Sequence, residues 1–171
     1  MTTNTAPQQL TNNTLALIAL CNEYCQSVEN ACEQGRDGFI GSMLRLLPRI
    51  YIAVSDVPEG LGDSDLFLQD ALDEVYYDAM RRNVESVMGE DDTYLDVFEE
   101  DMKYSDTPIS ASIAEGCADL FQVFYNYLET VRDAPNELVD EATTTVRDDF
   151  AQYWARTLCN VLRAINAIRY N

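Results

Sequence analysis

Carboxylates carry most of the chemistry this chain could perform. Two groups stand out by spacing, Asp70-x-x-Asp73-Glu74 and Asp96-x-x-Glu99-Glu100. Acids at i, i+3 and i+4 share one face of a helix. Two such faces opposed in a bundle would gather Asp70, Asp73, Asp96 and Glu99 into an all-oxygen site for Mg²⁺ or Mn²⁺. A metal held there could polarise a phosphate and activate water, and no imidazole would be needed. The competing reading is a solvated helix face, because a chain with 30 acidic residues produces such pairs by chance. Only Arg81, Arg82 and Lys103 stand near enough in sequence to hold phosphates.

Other chemistries are excluded by what is missing. With no His, there is no imidazole base, no His metal ligand and no Ser/His or Cys/His pair. The five cysteines are odd in number and form no Cys-x-x-Cys, which argues against a disulfide framework or a zinc knuckle. Cys21, Cys25 and Cys32 fall on one helical face with Ile18, Tyr24 and Val28, so they read as small buried apolar residues. Asp63, Asp65 and Glu74 match positions 1, 3 and 12 of a calcium loop. Phe67 and Leu68, however, occupy the places of a ligand and the turn glycine. Arg45 and Arg49, one helical turn apart around Pro48, read as salt-bridge donors to the acidic middle of the chain, with an anion site as the alternative. Arg156 and Arg163 should face water, and Tyr153 and Trp154 should pack in the core.

The charge distribution points away from nucleic acid and towards protein. Eleven basic residues against 30 acidic ones cannot grip a phosphate backbone. Residues 56–106 carry 17 acidic and 3 basic side chains, a net −14 of the total −19. Within them Glu90, Asp91, Asp92, Asp96, Glu99, Glu100 and Asp101 place seven carboxylates in twelve residues. Such a density must be solvated or matched by a cationic partner. These seven residues are therefore the candidate docking site for a basic protein surface, such as that of an enzyme of RNA or DNA metabolism. Repulsion among them should make the fold more stable near pH 5.5 than at pH 7.5.

The elements that must position these residues are helical. Apolar periodicity predicts helices over about 8–34, ending at Gly35; 38–54, kinked or divided by Pro48; 66–88, ending at Gly89; and 92–104. A capping box, Ser112-x-x-Glu115, then opens a helix to about residue 131, and Pro135 separates it from a last helix over about 136–170. No stretch combines alternation with β-branched enrichment well enough to predict a strand. The loop at 55–65 is marked by its Pro, Gly and Asp content. The polar residues 1–8 should be a flexible N-terminus, and no apolar run reaches the length of a membrane span or a secretory signal. A cytoplasmic setting, with no membrane and no direct nucleic acid contact, is the expectation.

Three stretches resemble a known family together: LRLLPRIYIAV (44–54), SIAEGCADLFQVFYNYL (112–128) and DDFAQYWARTLCNVLRAINAI (148–168). In that order they resemble an uncharacterised bacterial family of domains of unknown function, common in Bacteroidetes. The resemblance covers most of the chain and implies an all-helical domain of about this length, with no established activity. The acid spacing, separately, looks like the ExxE and ExxD pattern of all-helical nucleotide pyrophosphohydrolases, with Asp for Glu at several places. The expected fold is thus all-α, a single domain spanning 1–171 as an irregular bundle of five to six helices. For function, three readings stand: a non-catalytic module that docks through its acidic middle without cofactor, a metal-dependent nucleotide hydrolase, and a purely structural protein.

Overall fold

The computed structural model describes residues 9–59, 61, 65–96, 103–104 and 107–171. The first helix, α1 (Asn12–Glu29), starts where the Thr11 hydroxyl accepts from the Thr14 amide at 3.1 Å. It buries Leu17, Cys21, Tyr24, Cys25 and Val28, one stripe at helical spacing. Then comes α2 (Ala31–Ser55), broken by one residue: Gly35, at φ 71° and ψ 173°. A side chain at that φ would crowd the backbone, so glycine marks the corner. The expected stop at Gly35 is present, and beyond it α2 folds back to pack along α1. Pro48 neither divides α2 nor takes it out of helical dihedrals; the break lies at Gly35 instead.

The third helix starts later than periodicity suggests. α3 runs Glu74–Met88, with Asp73 accepting from the Tyr76 amide at 2.7 Å as its N-cap. Residues 66–73 form no regular element, and side chains of the later helices satisfy part of their backbone. Thr130 Oγ1 accepts from the Gln69 amide (2.8 Å), and Asn126 Oδ1 accepts from the Ala71 and Leu72 amides (3.0 and 3.1 Å). Thr145 Oγ1 donates to the Leu66 carbonyl (2.8 Å). On the first turn of α3, Val75 is 82% exposed.

The predicted helix over 92–104 is not formed by its described residues. A 3₁₀ turn, Gly89–Asp92, leads into β1 (Thr93–Asp96), which pairs antiparallel with β2 (Ile109–Ser112). Thr93 stands opposite Ser112 and Asp96 opposite Ile109. Val97–Met102 lie outside the described residues. Four-residue strands are too short to show alternation, and their partner lies beyond any local window.

Ser112 ends β2 and also caps α4 (Ile113–Val131), accepting from the Glu115 amide at 3.1 Å as the capping box predicts. The last helical run, 136–170, is continuous as expected. It consists of α5 (Asn136–Asp149), a π turn at Phe150–Trp154 and α6 (Ala155–Tyr170). All six helices share one hydrophobic core. At its centre the Tyr24 hydroxyl donates to the Cys117 carbonyl (2.8 Å), and Trp154 meets Phe124 and Phe150 edge-on. Gly116 lets α4 and α6 approach so closely that a Cβ there would stand 2.5 Å from a Val161 methyl. The fold is mostly helical with one small two-stranded pair, and none of the described helices is long and apolar enough to cross a membrane.

Candidate functional site

Of the four acids proposed for a metal, the three among the described residues, Asp70, Asp73 and Asp96, do not lie on opposed helices as their spacing suggests. Asp70 and Asp73 lie on the segment in front of α3, where Asp73 is committed to capping. Asp96 lies on β1, past the other end of α3, and that helix is about 22 Å long at 1.5 Å per residue. The Asp96 carboxylate is 8% exposed and accepts from Asn160 Nδ2 of α6 at 3.4 Å. Glu99 lies outside the described residues. Among the described residues, no three His, Cys, Asp or Glu side chains gather closely enough to hold a metal ion. Among the described residues the spacing does not place these acids on opposed helix faces, because Asp70 and Asp73 precede α3 and Asp96 lies on β1.

The run of seven acids divides between surface and interior for the same reason. Glu90 is exposed, and Asp91 pairs with Arg36. Asp92 is buried, accepting from the Ser112 hydroxyl and the Ala114 amide, each at 2.7 Å. On β1 the side chains alternate, so Asp96 turns inward while Leu95 is 57% exposed. Asp92 and Asp96 are therefore structural acids, in contrast with the solvated face expected for them. Glu100 and Asp101, like Glu99, fall outside the described residues.

An acidic surface does form, on the face shared by α3 and α4. Asp73, Glu74, Tyr77, Asp119 and Gln122 line a shallow cleft of about 290 Å³. The Tyr77 hydroxyl donates to Asp119 Oδ1 at 2.7 Å, and burial together with this carboxylate pushes the phenol well above its ordinary range. Spacing assigns Asp73 and Glu74 to a metal rather than to this cleft, and Asp119 carries no motif. The signal that could have found it is its position on the polar side of α4, four residues after Glu115. The nearby cations are already engaged. Arg81 binds Asp78 (2.9 Å) and Glu85 (2.8 Å), and Arg82 also binds Asp78. The hydrogen bond from Arg81, with the charge of Arg82, holds Asp78 below the usual carboxylate range.

The remaining candidates separate cleanly. Cys21, Cys25 and Cys117 are buried, and burial pushes the Cys117 thiol up to about 12, so none is a nucleophile. Cys32 is exposed, against expectation, because its helical stretch ends at the Gly35 corner. Trp154 is buried as expected, with its Nε1 donating to the Val146 carbonyl at 3.2 Å. Tyr153 is 70% exposed, because the π turn shifts the phase of the helix. Among the described residues, Arg45 and Arg49 form no salt bridge to the acidic middle; Arg45 Nε donates to the Gly41 carbonyl at 3.0 Å.

Comparison with known proteins adds the family. The crystal structure of protein BF1032 from Bacteroides fragilis superimposes with a TM-score of 0.78 at 22% identity, over 94% of each chain. That similarity is one of fold. No match is found among curated proteins. Residues 8–171 match the family described as a domain of unknown function, DUF5063. A profile spanning the helical hairpin, the acidic middle and the long last helix leaves no part of the described fold outside it, and the chain belongs to the DUF5063 family.

Proposed function

We propose that the chain is a non-catalytic interaction module whose acidic segment 56–106, with the adjoining face of α4, docks on a basic surface of a protein partner. The observation that carries this reading is the cleft of Asp73, Glu74 and Asp119 around Tyr77, whose neighbouring arginines are already bound to Asp78 and Glu85. Exposed Asp70, three residues before Asp73, and Glu115, one turn before Asp119, add acidic charge beside that cleft. A partner supplying Arg or Lys would gain paired charges without displacing any internal cation, and encounter would be fast and salt-dependent. Enzymes that handle RNA or DNA present basic surfaces of this kind, and one of them is the partner class we favour.

Affinity purification from the native host at low and high salt tests this. A basic partner retained at low salt, released at high salt and lost with Asp73→Asn/Glu74→Gln/Asp119→Asn is the expected result. Capture that ignores salt and these substitutions would overturn it. So would turnover of nucleoside triphosphates with Mg²⁺ or Mn²⁺ that is abolished by Asp73→Asn.

A further inference from the structure

The α1–α2 hairpin builds a polar cavity of about 380 Å³ on the other charge sign. It is lined by Ser27, Asn30, Gln34, Ser42, Arg45 and Arg49, with Leu46 as its one apolar wall. On a straight helix, residues eight apart would be about 12 Å distant. The corner at Gly35 instead brings Ser42 Oγ to donate to Gln34 Oε1 at 2.7 Å. Gln34 Nε2 in turn donates to the Ser27 carbonyl (2.9 Å) and hydroxyl (3.0 Å), and Ser27 is buried. The floor of the cavity is thus a fixed hydrogen-bond network.

Two guanidiniums stand over that floor, one helical turn apart on α2. Arg45 is exposed and oriented by its Nε bond to the Gly41 carbonyl, and neither of its Nη groups is committed to an ion pair among the described residues. Among the described residues neither Arg45 nor Arg49 makes an ion pair, although Glu23 lines the same cavity. In a chain of net −19, this lining carries a net +1. Paired forks of this kind match the oxygens of a phosphate or carboxylate. Hydroxyl and amide groups beside them suit a ligand rich in hydroxyls. With no aromatic ring in the lining, there is nothing to stack a nucleobase.

We propose that this cavity binds a small sugar phosphate, with Arg45 and Arg49 on the phosphate and the Ser27–Gln34–Ser42 network beneath its hydroxyls. The site is separate from the acidic face and does not depend on the docking reading. Isothermal titration of the full chain with ribose 5-phosphate, ribose and inorganic phosphate, at ionic strength matched with NaCl, tests it. Saturable binding of ribose 5-phosphate, none of ribose, and weaker binding of phosphate are expected. Arg45→Gln or Arg49→Gln should weaken ribose 5-phosphate by about tenfold or more, as loss of hydrogen bonds from a charged donor does. Asn30→Asp, which adds a carboxylate at the rim, should weaken it too, with the unliganded melting temperature held as the check on folding. Absence of saturable binding, binding unchanged in the Arg45→Gln/Arg49→Gln protein, or phosphate binding as tightly as ribose 5-phosphate would each overturn the assignment.

Discussion

Asp92 shows how a single carboxylate can be read in two opposite ways. In the sequence it belongs to an acidic run; in the fold it accepts from the Ser112 hydroxyl and the Ala114 amide, joining the 3₁₀ turn to the first turn of α4. A negative charge at a helix N-terminus is also favoured by the helix dipole. Asp92→Ala leaves the Ala114 amide buried without this acceptor, so urea denaturation should show a loss of about 1–3 kcal/mol. Exposed Glu90→Ala, two residues away, should stay within about 0.5 kcal/mol. Gly116 makes the reverse point about small residues. Alanine favours a helix by about 1 kcal/mol over glycine. Here its Cβ would stand 2.5 Å from a Val161 methyl, so the α4–α6 contact must give way. Gly116→Ala should therefore destabilise by about 1–3 kcal/mol. Gly116→Ala/Val161→Ala should recover part of that loss in a double-mutant cycle, because the two residues are in contact.

At the scale of elements, legibility followed period and length. The helical runs over 12–29, 113–131 and 136–170 were readable because each keeps an apolar stripe over several turns. The Ser112 cap was readable from its box with Glu115. The start of α3 was not, because the partners of the Leu66 carbonyl and of the Gln69, Ala71 and Leu72 amides are side chains 54 to 79 positions later, beyond any local pattern. The Asp73 cap was visible in principle, as an Asp followed by Glu before a run of helix formers, and would have moved the boundary to its place. The two strands are too short to show a period, and β1 stands where a helix was expected to present Asp96. The candidate site suffered most from this error, since carboxylate spacing has meaning only once the element type is right. Pro48 gives a test at this scale. A proline inside a helix removes the bond its amide would make to the carbonyl four residues back. Because α2 keeps helical dihedrals through Pro48, Pro48→Ala should raise stability by about 1–2 kcal/mol in thermal or urea unfolding, net of the looser unfolded chain.

Across the whole molecule, ionisation sets two opposite limits on stability. Cys21, Cys25 and Cys117 have thiols raised by burial, and Tyr24 and Tyr127 have phenols raised in the same way. A group with a raised native pKa holds its proton when folded and yields it when unfolded, so its contribution is full below the ordinary thiol value of about 8.5 and is lost as pH rises beyond it. The melting temperature should accordingly fall between pH 8 and about pH 10. A thiol reagent should modify two cysteines of the native protein, Cys32 and Cys159, and reach the other three only on unfolding. On the acid side, burial and then the charge of Asp148 raise Asp149, whose contribution to stability is likewise lost as pH rises through its native value. Asp78, lowered by Arg81, works the other way and loses its contribution only as pH falls below the ordinary carboxylate range. With a net −19 to hold together, the balance favours a melting temperature that rises from pH 7.5 towards about pH 5.5, and that rises with added salt at pH 7.5. A steady fall over that pH interval would show that repulsion among the acids does not set the stability there.

The segment before α3 has a kinetic consequence. Its amides at Gln69, Ala71 and Leu72 belong to no ladder and no helix, yet each is bonded to a single side chain of α4. Their bonds run only to Thr130 or Asn126. In hydrogen–deuterium exchange these three amides should be slowed relative to an unbonded strand and still exchange well before their neighbours in α4, reporting a local opening whose free energy lies far below that of global unfolding. Asn126→Ala should release Ala71 and Leu72 together while leaving Gln69 protected, so that the segment comes away from the helix in two separately latched pieces.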